Sequence, residues 1–92
     1  MMTPKERKYF FDCLYGGEEI IFTLFGKKYC VQGYFKNNSA HMYLTEWKPE
    51  EKIRWKTDKD NMTECAELFL DTPMWNGKSF WEVEEDFTWV DC

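Results

Sequence analysis

The sequence predicts an α+β fold: an antiparallel meander of three or four strands, with an N-terminal helix and one or two C-terminal helices packed on the sheet. Three observations lead to this prediction. Helix start signals stand in both the first and the last third of the chain, and period-two apolar segments separated by turn residues fill its middle. Aromatic residues make up 20% of the 92 residues, enough rings to build the core of one small domain, residues 1–92.

The first predicted element is a short helix that begins after Thr3. Thr3 and Glu6 form a T-x-x-E capping box, and Pro4 suits the first helical position. The pair Gly16-Gly17 ends the helix. Its apolar stripe consists of Phe10, Phe11 and Leu14.

Strands follow from residue 18 onward. The segments EEIIFTLF and KYCVQGYFK flank Gly26-Lys27, which indicates a hairpin, and AHMYLTEW follows Asn37-Asn38, residues that tolerate the positive φ of a type I′ turn. A two-residue turn there pairs Phe35 with Ala40, Val31 with Leu44 and Cys30 with Thr45. A fourth strand, KIRWKT, follows, and we expect Ile53 and Trp55 on one side of it.

This register sorts the strand residues into two faces. The first face is almost entirely apolar and collects Ile20, Phe22, Leu24, Tyr29, Val31, Phe35, Met42 and Leu44. The second collects Ile21, Phe25, Cys30, Tyr34, His41, Tyr43 and Trp47. The first face is therefore the predicted core side of the sheet.

The second main helix has the clearest periodicity in the chain. Its apolar residues follow the i, i+3, i+4, i+7, i+8 rule and are Met62, Cys65, Ala66, Phe69 and Leu70. Asn61 caps it together with Glu64, and Pro73 ends it. Ser79 and Glu82 repeat the start signal, which predicts a short helix from Phe80 to about Asp86, with an Asn76-Gly77 hairpin as the alternative. Residues 87–90 alternate as in an edge strand.

Charge is distributed unevenly along the chain, whose net charge is −5. Residues 1–57 carry ten Lys/Arg and seven Asp/Glu, a net +3, whereas residues 58–92 carry two Lys and ten Asp/Glu, a net −8. Such a polarised molecule attracts a basic partner toward its acidic end, and it is poorly suited to hold a phosphate backbone.

Several sequence features bear on compartment and cofactors. The start, MMTPKERKYFF, has no apolar core of a signal peptide, and no apolar segment is long enough to span a membrane, so we expect a cytoplasmic protein. Four cysteines stand far apart without a C-x-x-C pair, and we expect four reduced, mostly packed thiols. With one His, and a DKDNMTE segment that lacks the glycine of a calcium loop, we predict no metal and no cofactor.

A catalytic set is also not predicted. Glu82 with Glu85 or Asp86 could reach the roughly 5–10 Å separation of a glycosidase pair, but on a helix these acids share one solvated face. Cys30 and His41 fall more than one strand pair apart, so the thiol has no nearby base.

The second sheet face allows two interpretations. Its rings, with Lys28, Lys36 and Lys48 close by, resemble a platform on which the bases of a single-stranded nucleic acid stack. The competing expectation, which we favour for so acidic a molecule, is that the N-terminal helix covers this face as a second hydrophobic layer.

Residues 71–86, DTPMWNGKSFWEVEED, resemble a pattern found in short acidic proteins of Firmicutes phages and mobile elements, in which Gly-Lys-Ser precedes an aromatic-acidic helix. EEIIFTLFGKKYCV is similar to the strand, glycine turn and strand of the same group. The resemblance covers about a third of the chain. It implies inhibition of host nucleic-acid enzymes, of the anti-CRISPR or anti-restriction type, and it brings no catalytic residue.

We therefore predict a non-enzymatic domain that binds another protein through a basic surface on that partner, without binding nucleic acid directly. An exposed tryptophan beside carboxylates suits such an interface. The predicted binding residues are Trp81, Glu82, Glu84, Glu85, Asp86 and Trp89. Binding of RNA or single-stranded nucleic acid through the aromatic sheet face stays open as an alternative, and so does a small enzyme.

Overall fold

The computed structural model describes residues 2–48 and 51–91 and has the predicted α+β fold. The helices are α1 (Pro4–Tyr15), α2 (Met62–Asp71) and α3 (Phe80–Val83), the last followed by a 3₁₀ turn (Glu84–Asp86). The strands are β1 (Ile20–Leu24), β2 (Lys27–Lys36), β3 (Ser39–Lys48), β4 (Lys52–Lys59) and β5 (Thr88–Asp91).

Among the described residues the sheet has the strand order β4-β3-β2-β1-β5, and each neighbouring pair is antiparallel. Strands β1 to β4 form the predicted meander. Strand β5 pairs with the outer side of β1, where Thr88 lies opposite Thr23, and so it is the expected edge strand.

Capping residues begin the two longer helices as predicted. The Thr3 hydroxyl accepts a hydrogen bond from the Glu6 backbone N–H at 3.1 Å, and the Glu6 carboxylate accepts one from the Thr3 N–H at 2.8 Å. The Asn61 side chain accepts a hydrogen bond from the Glu64 N–H at 2.9 Å. These bonds satisfy N–H groups that have no partner within the helix.

The turn between β2 and β3 is confirmed, whereas the turn between β1 and β2 was predicted one residue too late. Asn37 and Asn38 have φ of 52° and 63°, and Phe35 lies opposite Ala40. In the first hairpin Leu24 pairs with Lys27, so the two turn residues are Phe25 and Gly26, with φ of 51° and 77°. The sequence predicted a turn with Gly26 in its first position and Lys27 in its second, whereas in the structure Gly26 occupies the second position after Phe25.

The helices pack on the predicted first face of the sheet. Their buried residues, among them Phe10, Leu14, Met62, Phe69, Phe80 and Val83, form one core cluster with Ile20, Phe22, Leu24, Val31, Met42 and Leu44. Phe35 was expected in this core but is 70% exposed, because it lies at the far end of β2 beside the turn.

A β-bulge in β4 separates two residues that were expected on one side. Trp55 pairs with Leu44 and packs against Phe69 at 5.6 Å, whereas Ile53 pairs with Thr45 and is 63% exposed. The extra residue between them reverses the side on which the strand presents its next side chain. The prediction that Ile53 and Trp55 share a side is therefore wrong.

Aromatic rings join α1, α3 and the sheet. Phe10 stacks on Phe80 with ring centroids 5.3 Å apart, and Phe87 stacks on Phe22 at 4.6 Å. Trp75 meets Phe87 edge-on at 5.7 Å. Burying each such ring removes roughly 150–250 Å² from water, so this cluster stabilises the packing of the helices on the sheet.

Segment 74–86 contains both structures that the sequence suggested. Asn76 and Gly77, with φ of 55° and 82°, form a tight turn across which Trp75 and Lys78 exchange backbone hydrogen bonds of 3.0 Å. The short α3 follows directly, and the Glu82 carboxylate accepts a hydrogen bond from the Ser79 N–H at 2.9 Å.

The cysteines differ from the expectation at one position. Cys30 and Cys65 are free and buried, as predicted. Cys13 is also buried but is disulfide-bonded, so the prediction of four thiols is wrong there. Cys92 lies outside the described residues. Spacing along the chain does not determine which cysteines the fold brings together.

Candidate functional site

Trp81 is the most exposed tryptophan whose side chain is described, at 48% of its surface. Its position follows from α3, because Phe80 fills the core and the next residue of a helix turns away from it. The indole stacks on Phe11, with centroids 5.9 Å apart, and its Nε1–H donates a hydrogen bond to Asp71 Oδ1 at 3.0 Å. A ring held from two sides in this way presents its free face to a partner at small entropic cost.

Two carboxylates on the polar face of α2, those of Glu67 and Asp71, lie next to this ring. Glu64, Glu67 and Asp71 are exposed and repeat at helical spacing. A shallow depression of about 300 Å³ is lined by Tyr15, Glu67, Leu70, Asp71 and Trp81. We call these five residues the Trp81 surface. It combines two exposed aromatic rings with two carboxylates.

Two of the predicted acidic residues, Glu82 and Glu84, form hydrogen bonds within the protein and do not line the Trp81 surface. The Glu84 carboxylate accepts a hydrogen bond from Arg7 Nε, and the Arg7 guanidinium lies 4.8 Å from the centre of the Phe11 ring. Glu82 caps α3, as described above. These two residues attach and begin the short helix that carries Trp81.

The remaining predicted site residues are placed as follows. Glu85 and Asp86 are exposed in the 3₁₀ turn, and Glu85 lines a separate shallow depression with Met2, Pro4, Arg7 and Glu84. Trp89 belongs to β5, and its side chain lies outside the described part of the structure. The structure therefore brings Trp81 together with α2 and not with the other predicted acids.

Sequence reasoning missed Tyr15, Glu67 and Asp71. The available signal was the spacing of Glu64, Glu67 and Asp71, which places all three opposite the apolar stripe of α2. Their proximity to Trp81 depends on how α3 docks on α2, which the local sequence does not encode.

Among residues 2–48 and 51–91, no helix covers the second sheet face, because α1 packs in the core on the first face, contrary to the expectation that α1 covers the second. Tyr34 is 46% exposed, and its ring stacks on His41 with centroids 4.9 Å apart and an interplanar angle of 10°. The Tyr43 hydroxyl donates a hydrogen bond to Gln32 Oε1 at 3.0 Å. Helix α1 packs on the first face because its apolar stripe buries more apolar surface against the almost entirely apolar residues of that face.

Charge separates between the two layers of the fold. Helices α2 and α3 and the 3₁₀ turn contain seven Asp/Glu and no Lys or Arg, whereas strands β2 to β4 contain eight Lys/Arg and two Asp/Glu, a net +6. The overall charge of −5 conceals this arrangement. Helix α1 adds three Lys/Arg and two Asp/Glu, so the helical side carries a net −6 and the sheet is basic.

The Cys30 thiol has no catalytic environment. Burial raises its pKa to about 12, with the Glu19 carboxylate adding to the shift through its charge and a hydrogen bond. Its cross-strand partner is Thr45, and His41 pairs with Tyr34 further along the sheet, as the predicted register required. The thiol is therefore protonated at neutral pH and is a poor nucleophile.

Metal sites, membrane spans and relatives give no further assignment. Within residues 2–48 and 51–91, no three His, Cys, Asp or Glu side chains come together as a metal site requires, and no helix has the length and apolarity to cross a bilayer. No protein-family model, curated protein or solved structure matches the chain.

Proposed function

We propose that this protein is a non-enzymatic binding domain that engages a basic, partly apolar surface of another protein through the Trp81 surface. The observation that carries the proposal is Trp81 itself, which is exposed, fixed by Phe11 and Asp71, and adjacent to the carboxylates of α2. Tryptophan and tyrosine are enriched among the residues that dominate interface energetics.

The depression beside Trp81 suits a Lys or Arg side chain of the partner. Tyr15 and Trp81 offer ring faces to a cation, and Glu67 and Asp71 offer carboxylate oxygens. A cation–π contact contributes about 0.5–2 kcal/mol, and an arginine could also bond a carboxylate bidentately. The seven carboxylates of α2, α3 and the 3₁₀ turn would in addition steer a basic partner toward this surface.

The finer proposal concerns the identity of the partner. The resemblance of residues 71–86 to proteins of Firmicutes phages and mobile elements implies a host nucleic-acid enzyme as the target, as in anti-CRISPR and anti-restriction inhibition. Such enzymes carry basic grooves shaped for phosphates, and a row of carboxylates around an aromatic anchor can occupy the same groove. Inhibition would then be competition with the nucleic acid, without bond-making by the inhibitor.

The test is capture of partners from the native host by the wild-type protein and by matched variants. Trp81→Ala should weaken binding by about 30-fold or more, which corresponds to the roughly 2 kcal/mol of an interface hot spot. Phe35→Ala is the control, because it removes an exposed ring elsewhere.

A second pair of variants tests the charges. Glu67→Lys with Glu85→Lys should abolish capture, whereas Glu18→Lys with Glu51→Lys changes the net charge equally, at exposed positions outside the helical side, and should not. All four positions are exposed, so each variant should stay within about 0.5 kcal/mol per site of wild-type stability. Equal loss of binding in both pairs would refute a localised acidic interface.

The open sheet face supports a second candidate function, binding of single-stranded RNA or DNA. The specific observations are the exposed Tyr34 ring, which stacks on the half-buried His41, and the net +6 of strands β2 to β4. Lys28 Nζ also lies 5.8 Å from the centre of the Trp47 ring. The overall acidity of the molecule argued against nucleic acid, but the carboxylates of the helices lie on the opposite side of the sheet.

Oligonucleotide titration at low salt separates this candidate from the first. If the sheet face binds a single-stranded oligonucleotide, Tyr34→Ala should weaken the binding free energy by about 1–3 kcal/mol, the usual contribution of one base–aromatic stack. Lys36→Glu with Lys56→Glu should abolish binding, and Trp81→Ala should have no effect. Absence of binding at micromolar protein, or equal sensitivity to Trp81→Ala, would exclude the sheet face as a nucleic-acid site.

A further inference from the structure

A cleft of about 260 Å³ lies at one end of the sheet, where the β1–β2 turn meets the segment that follows α2. It is lined by Phe25, Lys27, Tyr29, Leu44, Arg54, Met74, Trp75 and Asn76. None of these residues belongs to the Trp81 surface, so a ligand here would leave that surface free. Three independent observations concern this cleft.

The first observation is the backbone of Phe25. Its φ of 51° lies in the left-handed region, which is rare for a bulky side chain and which a glycine or asparagine would adopt more easily. Packing does not explain the phenylalanine, since 56% of its surface is exposed. A strained, exposed ring at the rim of a cleft suggests selection for contact with a ligand.

The second observation is an unsatisfied donor in the wall. Trp75 is 5% exposed, and its Nε1–H has no hydrogen-bond acceptor among the described residues. The atom is also shielded from solvent, so bulk water does not satisfy it. Buried polar groups are nearly always hydrogen-bonded. A shift of the wall at Trp75 that brings an acceptor to this indole N–H would therefore be stabilising.

The third observation is the charge of the cleft. Lys27 and Arg54 line it, and no acidic residue is among the described residues of its wall. Behind the wall, Arg54 Nε donates to the buried Glu46 carboxylate at 2.6 Å. Burial alone would raise the pKa of Glu46, but the hydrogen bond and charge of Arg54, with the charges of Lys27 and Lys52, lower it. Arg54 is thus held in place at the cleft by a fixed anion.

Tyr29 adds a neutral donor to the same wall. Burial raises the pKa of its hydroxyl, and the Glu46 carboxylate raises it further, against the opposing effect of Arg54. The hydroxyl therefore stays protonated at neutral pH. Its ring meets Trp75 edge-on at 5.2 Å, so the apolar part of the cleft is built from aromatic surface.

We propose that this cleft binds a small carboxylate attached to a flat apolar group. The aromatic walls take the apolar group, and Phe25 covers the ligand from the rim. Lys27 attracts the carboxylate, because the charge of Arg54 is already offset by Glu46 and Arg54 contributes only its remaining N–H donors. The cleft, at about 260 Å³, is smaller than the roughly 300–1,000 Å³ of most small-molecule pockets, so the ligand is small. Small-molecule sites are concave and fix their ligands through a few placed polar groups, and this cleft joins such groups to aromatic surface.

The experiment is a titration of the ¹⁵N-labelled full chain with benzoate, followed through the indole N–H of Trp75 and the backbone amides of residues 25–29 and 74–76. Benzamide is the neutral control of the same shape. We expect benzoate to shift these signals saturably and benzamide to bind at least tenfold more weakly. Equal affinity of the two compounds would show an apolar cleft without an anion site, and no saturable shift with benzoate would show no site at all.

Two variants assign the roles of the wall residues. Lys27→Gln should weaken benzoate binding by at least fivefold, whereas Lys28→Gln, the neighbouring lysine beside Trp47 on the open sheet face, should leave it unchanged. Phe25→Gly should raise the melting temperature by a few degrees and yet weaken binding, because it removes the strain and the rim contact together. A Phe25→Gly protein that is less stable, or that binds as tightly as the wild type, would overturn the role given to this ring.

Discussion

Phe80 joins α3 to the rest of the protein, and its replacement by alanine is the sharpest test of how the helical layer is held. The ring is fully buried and contacts Phe10, Phe11 and Phe87 at centroid distances of 5.3, 5.7 and 5.0 Å. A buried Phe→Ala change costs about 3–5 kcal/mol through lost transfer free energy and the cavity left behind.

That loss is a large part of the stability of a domain of this length, which is about 5–14 kcal/mol for 92 residues. The melting temperature of Phe80→Ala should fall by roughly 12–40 °C, since 1 kcal/mol shifts a small domain by about 4–8 °C. Thermal and urea unfolding, followed by circular dichroism, measure the change. Phe35→Ala is the control, and its 70% exposed ring should contribute no more than about 0.5 kcal/mol. A Phe80→Ala protein as stable as this control would refute the docking of α3 described here.

Three further predictions test the sheet and its connections. Because the pKa of Glu46 is lowered, its stabilising contribution is complete above the unfolded value of about 4.3 and is lost as pH falls through the folded value. The difference in unfolding free energy between wild type and Glu46→Gln should therefore shrink in acid, and a constant difference down to pH 2 would contradict this. Gly17→Ala should destabilise the protein somewhat more than Gly26→Ala, since both have positive φ but a Cβ at Gly17 would come within 2.7 Å of the Met62 methyl and force this buried side chain to shift. Equal melting temperatures of the two variants would show that Met62 moves aside at no cost. Cys30 in the native protein should react with Ellman's reagent far more slowly at pH 8 than in urea, because its pKa is about 12; equal rates would show an accessible thiolate.

Features determined by neighbouring residues could be predicted from the sequence. Asn37-Asn38 fixes a turn and thereby the register of two strands, because a two-residue turn permits one pairing only. Asn61 and Thr3 begin helices through bonds to residues three positions away. Each of these signals consists of residues no more than three positions apart and requires no tertiary contact.

Features determined by contacts between distant elements could not be predicted. The direction in which Trp81 points depends on Asp71 and Phe11, which are ten and seventy positions away in the chain. The side on which Ile53 lies depends on a bulge that no glycine or proline announces. The open second face was misjudged for a related reason, since overall charge says nothing about how charges are divided between two layers.

The division of charge gives each face of the molecule a different chemistry. The helical side presents Trp81 among carboxylates, and the sheet presents stacked rings among lysines. A basic protein and an anionic single-stranded nucleic acid would therefore bind to opposite sides of the molecule. This arrangement makes the two candidate functions separable in one experiment.

The most direct measurement is fluorine NMR of the protein labelled with 5-fluorotryptophan, recorded with and without the captured partner. Trp81 reports on the helical side and Trp47 on the open sheet face, and each resonance is assigned by a Trp→Phe substitution. If the Trp81 surface is the binding site, the Trp81 resonance shifts or broadens on binding while the Trp47 resonance stays unchanged. A shifted Trp47 resonance beside an unchanged Trp81 resonance would contradict the proposed function.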